Sequence, residues 1–287
     1  AACFYKTHAP NSAKAMPCKA ICSADNEKAH IMQITLHYDG SFDGLLSTVF
    51  HVYACKYAPE NVHITHDMQD TDLFSRSETV TTSPERAHRV FKRLEQQIGR
   101  SGMVKLLYGF LIALPEMPDT FLRIIRLMLA LPSRKDVLCD YGLYDVMQWA
   151  QWVKTVGHEK HRMEAFVRFE ELTDGLYLAR IEPQYDVLSL ITRHFRNRYP
   201  QQQWAIFDMQ RHYGILSNTN GLHTINGLEA DRIQTSYAQN ERSYQALWQD
   251  YFNSSNIPSR RNPRLHRQQM PQRYWKYLTE KQPAVLK

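Results

Sequence analysis

The segment from Pro258 to Lys281 combines cationic and aromatic side chains in a pattern that is typical of nucleic-acid binding. It carries seven Lys or Arg residues and a single acid, Glu280. Arginine offers forked donors to phosphate oxygens, and aromatic rings offer faces on which bases stack. We therefore predict nucleic-acid contacts from Arg260, Arg261, Arg264, Arg273, Tyr274, Trp275 and Lys276. Two alternatives stay open: a solvated arm whose rings dock on the core, and an interface for an acidic protein.

A second cluster of polar residues, His158 to Arg162, precedes Arg168 and Glu170. Two histidines three residues apart, with carboxylates nearby, could bind a metal or move protons. No third ligand is identifiable, so we predict no metal site. Arg162 and Arg168 are predicted to contact nucleic acid, and His161 and Glu170 are candidates for a catalytic acid or base. The alternative is structural, with Arg162 tying a β-hairpin to a helix.

Asp39 is the third candidate for an acid or base. It belongs to the turn Tyr38-Asp39-Gly40-Ser41, which lies between a predicted strand and a predicted helix. Such turns can present backbone N–H groups to an anion, although Asp39 would oppose a phosphate. A structural turn in which Asp39 or Ser41 caps the helix is the favoured interpretation. The chain has no nucleophile motif, Gly-rich phosphate loop or radical-SAM cysteine motif, so neither a specific reaction nor a cofactor is predicted.

The elements that must position these residues predict an α+β fold. Residues 1–31 show no periodicity and are predicted to be a disordered extension, whereas residues 32–287 are predicted to form a single α+β domain that could subdivide near residue 158. Ser83-Pro84-Glu85 is a helix start, and a helical middle region follows it. The next elements are strand, strand, helix, strand and strand, for which antiparallel pairing is the natural arrangement.

The strands of this predicted layer are short apolar runs bounded by turn residues. A helix beginning at Asp186 separates the first pair of strands from the second. Residues 217–227 are rich in Asn, Gly and Thr, and are predicted to be a loop. The four strands are predicted at Ala165–Phe169, Leu176–Ile181, Trp204–Asp208 and His212–Leu216.

The composition is typical of a cytoplasmic protein. Lys and Arg outnumber Asp and Glu by 35 to 29, and this excess permits a nucleic-acid partner. The five cysteines are odd in number and thinly spread, which suggests reduced thiols. No run of 18 apolar residues is present, so no contact with a membrane is predicted.

One run of residues and four pairs of runs form a combined pattern along the chain. The single run is 38–46, and the pairs are 161–163 with 166–169, 174–177 with 181–183, 260–262 with 264–265, and 270–271 with 273–276. Together they resemble a bacterial family of domains of unknown function whose members are labelled as DNA metabolism proteins. The resemblance covers about Met32 to Leu278. In that family the gene commonly lies beside one for a radical-SAM protein, and related domains are fused to uracil-DNA glycosylases. The resemblance therefore implies DNA repair or modification by association, and it implies no catalytic residues.

Three functions follow from these observations. The leading hypothesis is a DNA-associated accessory protein that binds nucleic acid, DNA more than RNA, and acts with a partner enzyme; the resemblance implies a radical-SAM protein for that role. The second is an enzyme acting on nucleic acid, glycosylase- or lyase-like, that uses Asp39, His161 or Glu170. The third is a protein-interaction module with a basic arm. Aromatic residues interleaved with arginines favour the first over the third.

Overall fold

A computed structural model describes residues 33–67, 76–226, 237–260 and 262–283. The predicted disordered extension, 1–31, and the predicted nucleic-acid contact Arg261 lie outside the described residues. The chain divides into two compact units, the first ending at Phe91 and the second beginning at Lys92. Over the described ranges, no helix combines the length and the apolar character needed to cross a membrane. The α+β class predicted from the sequence is confirmed.

The first unit contains a parallel three-stranded sheet. Its elements are β1 (Ile34–His37), α1 (Phe42–Ala54), a 3-10 turn (Pro59–Asn61), β2 (Val62–Thr65) and β3 (Arg76–Thr79). The strand order is β2-β1-β3, so β1 pairs with both neighbours. The apolar side chains of β1 and α1 form the buried layer of this sheet. β1 and α1 were predicted, but the polar strand β3 was not.

Three helices form the middle of the chain: α2 (Pro84–Phe110), α3 (Met117–Ala130) and α4 (Tyr144–Phe166). α2 begins at the predicted Pro84, and its helical geometry is interrupted at Gly99, which has a φ of 66°. In the second unit, Trp149 of α4 lies 5.7 Å from Phe121 of α3, ring centroid to ring centroid. Its indole N–H donates to the backbone oxygen of Lys105 in α2. These contacts join the three helices around one buried ring.

The second sheet has five strands in the order β4-β5-β6-β7-β8. The central strand β6 is buried along its whole length and was predicted with its observed bounds. α5 (Leu188–Arg198) connects β5 to β6. The strands are β4 (Glu170–Glu171), β5 (Tyr177–Ile181), β6 (Trp204–Asp208), β7 (Tyr213–Asn218) and β8 (Gly221–Asn226).

Three details of this layer differ from the prediction. β5 and β6 pair in parallel, because α5 carries the chain back across the sheet before β6 begins. The predicted strand Ala165–Phe169 is wrong, because Ala165 and Phe166 complete α4 and the first strand is only Glu170–Glu171. The predicted loop 217–227 contains the edge strand β8.

The last part of the chain is helical and lies within the second unit. α6 (Glu241–Ser255) is followed by a 3-10 turn (Pro258–Arg260) and by α7 (Pro263–Gln269). Two further 3-10 turns, Gln272–Tyr277 and Thr279–Lys281, complete the described chain. The cationic segment predicted from the sequence is therefore a series of short helical turns.

Candidate functional site

A cavity of about 770 Å³ lies in the second unit, where α4 ends and the parallel pair β5 and β6 begins. This volume lies within the range of pockets that hold small molecules. α5 and α6 supply the remaining walls. The aromatic side chains in the lining are Phe169, Tyr177, Phe195, Tyr199, Trp204, Tyr244 and Trp248.

The rings on one side of the cavity form a connected cluster. Phe169 meets Phe195 and Tyr199 edge to face at centroid distances of 5.5 and 5.6 Å. Trp204, the first residue of β6, joins the cluster and is 1% exposed. Its indole N–H has no hydrogen-bond acceptor among the described residues. Because nearly all buried donors in proteins are paired, this N–H is an unusual feature of the cavity lining.

Polar groups of two kinds line the other parts of the cavity. His194 and Arg198 lie four residues apart on α5, so they share one face of that helix. Arg198 donates through Nε to the hydroxyl of Tyr199 at 3.2 Å. On the α6 side, the buried carboxylate of Glu241 accepts from the backbone N–H of Glu171 at 3.0 Å and from Gln245 at 2.9 Å. The lining therefore carries the guanidinium of Arg198 on α5 and the carboxylate of Glu241 on α6, and the carboxylate of Glu164 lies 4.0 Å from His194.

The opposite end of the β5 and β6 pair is filled by protein groups. The carboxylate of Asp208 at the end of β6 accepts from the side chain of Arg211 at 2.9 Å. Arg211 also donates to the backbone oxygens of Pro183 and Gln184. Nearby, burial raises the pKa of Asp186, which accepts from the hydroxyl of Tyr213. Ligands of parallel sheets usually bind beyond the carboxyl ends of the strands. This cavity instead lies at the amino ends of β5 and β6.

Glu170 is the predicted acid or base that lies closest to the cavity. Its neighbour Glu171 lines the cavity, and Gln245 reaches Glu170 at 3.5 Å. Burial raises the pKa of Glu170; the adjacent Arg180, 3.0 Å away, opposes this rise and Glu241 adds to it. A carboxyl group that holds its proton more strongly than usual can act as a general acid near neutral pH. His161 lies on the exposed face of α4 and is not in the lining.

Asp39 belongs to the first unit, where it organises a turn. Its carboxylate accepts from the backbone N–H and the hydroxyl of Ser41, at 2.9 and 2.6 Å, and from the hydroxyl of Thr82 at 2.7 Å. Burial opposes ionisation, but these hydrogen bonds outweigh it and lower the pKa of Asp39. Ser41 caps α1 by accepting from the N–H of Gly44. This agrees with the predicted structural role of the turn.

Arg168 is the only predicted nucleic-acid contact that lines the cavity, as far as the described residues go. Its guanidinium donates to both carboxylate oxygens of Glu280, at 2.8 and 3.3 Å. It also donates to the backbone oxygens of Ala165 and Val167 and lies over the ring of Trp248. Arg168 thus fastens the end of α4 to the turn 279–281 and to α6.

Arg273 and Tyr274 lie together against α4. Both donate to Oε2 of Glu159, at 2.7 and 2.5 Å, and Arg273 also contacts the hydroxyl of Tyr274. Glu159 is 1% exposed and Tyr274 is 3% exposed. Burial and the nearby carboxylate raise the pKa of Tyr274 to about 12. In this structure the two residues hold the 272–277 turn on the core.

The other predicted contacts are more accessible. Lys276 forms an ion pair with Glu182, and Trp275 is half-buried and donates to the backbone oxygen of Met270. Arg260 and Arg264 are exposed and form no ion pair with any residue that the structure describes. Arg162 is half-buried on α4, one turn beyond Glu159, and likewise has no charged partner within the described ranges.

One exposed surface was not recognised as functional from the sequence. Tyr244, Leu247, Trp248 and Tyr251 recur at helical spacing on α6 and are 58, 63, 39 and 62% exposed. We call these four residues the α6 ridge. The spacing identified the helix, but it did not reveal that these side chains are exposed and that no described residue covers them. Tyr244 and Trp248 also line the cavity, so the ridge begins at its edge. The sequence also gave no indication that Trp204, His194 and Arg198 belong to a functional site.

Comparison with protein families gives a match to the second unit. The model of a family described as a domain of unknown function, DUF4130, matches residues 115–280, which is more than half of the chain. The matched part includes the whole cavity lining and the α6 ridge. No curated protein matches the chain.

Proposed function

This chain belongs to the DUF4130 family, and we propose that its second unit binds single-stranded DNA as an accessory protein in DNA repair or modification. In this proposal the chain presents the strand to a partner enzyme. The resemblance found in the sequence implies a radical-SAM protein for that partner and DNA over RNA. The chemistry of the surface supplies the reason for proposing a nucleic acid.

The observation that carries the proposal is the α6 ridge. Three aromatic rings and one leucine stand on one face of α6, each more than a third exposed. Large apolar side chains grouped on a surface usually mark a binding site. Aromatic rings in particular stack on bases of any identity, at about 1–3 kcal/mol for each base. The ridge therefore suits a single strand, whose bases are unstacked and accessible.

Cations that follow α6 closely along the chain suit the phosphates of such a strand. Arg260 and Arg264 follow α6 within ten residues and are exposed. Neither one forms an ion pair inside the described ranges, so neither guanidinium must leave a carboxylate in order to bind a phosphate. Phosphate contacts carry little sequence information, so the binding is expected to be sequence-independent and strongly dependent on salt.

The test is a titration of a labelled thymidine oligonucleotide, followed by fluorescence anisotropy at several salt concentrations. Replacing Arg260 and Arg264 by Ala should reduce the salt slope by about 0.7 for each arginine, the value expected for single strands. The matched control is the double replacement of Arg193 and Arg196, two exposed arginines of α5 that do not line the cavity. It removes the same charge and should leave the slope near that of the wild-type protein.

The ridge is tested separately with Tyr251→Ala, which removes an exposed ring. Loss of one stacked base should weaken binding about tenfold without changing the salt slope. If the Arg260 and Arg264 variant and the Arg193 and Arg196 control have equal salt slopes, Arg260 and Arg264 no longer support the proposal. If the wild-type protein binds no oligonucleotide at low salt, the proposal is wrong. The ridge would then favour the protein-interaction module.

A second candidate function is an enzyme acting on nucleic acid, glycosylase- or lyase-like. The observation in its favour is the raised pKa of Glu170, which lies beside an aromatic cavity. Release of a base, or strand cleavage, from oligonucleotides that carry damaged bases would support this candidate. Glu170→Gln should abolish such activity while strand binding is retained.

A further inference from the structure

We infer that the cavity is a base-binding subsite: it holds one nucleobase, turned out of the strand, whose carbonyl oxygen accepts the indole N–H of Trp204 while the adjoining phosphate contacts Arg198. This inference rests on the proposed binding of a single strand and adds to it. It assigns to the cavity a ligand class, an orientation and two recognition residues.

The unpaired N–H of Trp204 is the first argument. The residue is 1% exposed and lies in the cavity lining, so water has little access to its indole nitrogen. No acceptor is present among the described residues. A buried donor without a partner is unfavourable, and a ligand acceptor that reaches this nitrogen after a small shift of the lining side chains would relieve that cost. Thymine, cytosine and guanine carry a carbonyl oxygen on a flat aromatic ring, whereas adenine carries none.

The shape and the lining of the cavity are the second argument. Its volume of about 770 Å³ is ample for a nucleobase with part of its sugar. Phe169 and Tyr199 are two of the aromatic rings that line it, as expected of a site that receives a flat aromatic ligand. Such pockets receive bases that have left the stack, and the lining rings replace the lost stacking contacts.

The distribution of charge gives the ligand an orientation. Arg198 uses Nε for Tyr199, and its two terminal nitrogens make no hydrogen bond within the described residues. A phosphate oxygen can accept from both of them. On the other side, Glu171 and Glu241 repel a phosphate but can accept from a base N–H. The phosphate is therefore expected at α5 and the base edge towards β4 and α6.

The α6 ridge supplies the path of the strand. Tyr244 and Trp248 belong both to the ridge and to the cavity lining. A strand stacked along the ridge therefore passes the cavity, and one base can enter it while its neighbours remain stacked outside. This geometry joins the exposed surface and the enclosed site into one binding surface.

The experiment compares two labelled single strands of about twelve nucleotides, a length within the usual site sizes. One is oligothymidine, and the other carries abasic tetrahydrofuran at every position. Trp204→Phe keeps an aromatic ring at the start of β6 and removes the donor together with the five-membered part of the indole, and the abasic strand controls for this loss of volume. This variant should weaken binding of oligothymidine about fivefold, the effect of one neutral hydrogen bond, and leave binding of the abasic strand unchanged.

Arg198→Gln provides a second, independent variant at an exposed position, where a substitution usually changes stability little. It should weaken binding of both strands about tenfold, because each carries phosphates. Arg196→Gln removes the same charge from α5 outside the cavity and should weaken neither. If Trp204→Phe fails to fold, as judged by circular dichroism, the comparison of Arg198→Gln with Arg196→Gln alone tests the subsite.

The outcomes separate the two proposals. If oligothymidine binds Trp204→Phe and Arg198→Gln as it binds the wild-type protein, while Tyr251→Ala still weakens binding, the subsite is wrong and strand binding stands. Equal losses in Arg198→Gln and Arg196→Gln would also refute the phosphate position. If the wild-type protein binds neither strand at low salt, strand binding itself is wrong.

Discussion

Replacing Glu159 by Gln tests the structural role that the contacts assign to Arg273 and Tyr274. Three donors converge on this buried carboxylate. The backbone N–H of Gln184 donates to Oε1 at 2.8 Å, and Arg273 and Tyr274 donate to Oε2. Glutamine has nearly the same volume but offers only one acceptor oxygen. Whichever way the amide is turned, its NH₂ group replaces one carboxylate oxygen and faces at least one of the three donors.

The magnitude follows from these three contacts. A hydrogen bond to a charged group contributes about 1.5–3 kcal/mol, and a buried donor left without an acceptor costs about 1–3 kcal/mol. The side chain of Arg273 is 42% exposed, so water offsets part of its loss. We expect Glu159→Gln to lower the free energy of unfolding by about 2–3 kcal/mol. Tyr274→Phe leaves the carboxylate two donors and should cost about 1 kcal/mol.

The assay is urea unfolding followed by tryptophan fluorescence. All five tryptophans lie between residues 149 and 275, so the signal reports on the second unit alone. The free energy comes from linear extrapolation, and an unchanged m-value would show that the same surface is exposed on unfolding. A change of less than about 1 kcal/mol for Glu159→Gln would refute this reasoning. Arg273 and Tyr274 would then be available to a ligand.

Two further predictions concern the second unit. Burial disfavours the charge of Glu280, but hydrogen bonds from Arg168 and Trp248 outweigh this effect and hold the pKa of Glu280 below the ordinary 4.5. The ionised carboxylate therefore stabilises the fold above pH 4.5. This contribution is lost as the pH falls through the folded-state pKa. Urea titrations should show Glu280→Gln destabilising by about 2 kcal/mol at neutral pH, with the difference shrinking in acid; a constant difference would contradict this. A Cβ at Gly109 would lie 2.1 Å from the ring of Trp149, so Gly109→Ala should destabilise the protein by about 2 kcal/mol in thermal melts. A Cβ at Gly157 would have its nearest neighbour at 4.0 Å, so Gly157→Ala should stabilise the protein by about 0.5–1 kcal/mol. Similar melting temperatures for the two glycine variants would refute that comparison.

Elements with strong local signals could be predicted from the sequence. The run Trp204–Asp208 has the apolar character of a central strand, and Ser83-Pro84 sets the start of α2. β8 could not be predicted, because an edge strand with exposed side chains needs no apolar alternation. The end of α4 was also misread. Phe166 is apolar because it packs on Tyr274, a contact across more than a hundred residues that gives no local pattern.

The candidate site could be predicted from the sequence even less well than these elements of the fold. Aromatic residues near arginines were recognised as a signal, but the signal cannot distinguish a ring that faces solvent from one that fills the core. Tyr274 is buried because Glu159 supplies an acceptor, whereas Tyr251 is exposed because nothing described covers α6. The cavity brings together side chains from α4, α5, α6 and the strands between them. Their proximity depends on the tertiary fold and not on their spacing.

The ion pairs that fasten the 272–281 turns to α4 also govern when the second unit can fold. They join residues 114 and 112 positions apart, Arg273 to Glu159 and Glu280 to Arg168. During synthesis, α4 leaves the ribosome long before either partner exists. Contacts of such high sequence separation form slowly, since a long loop must close first. The second unit therefore reaches its native state only after residue 280 has emerged, and until then Glu159 and Arg168 lack these partners.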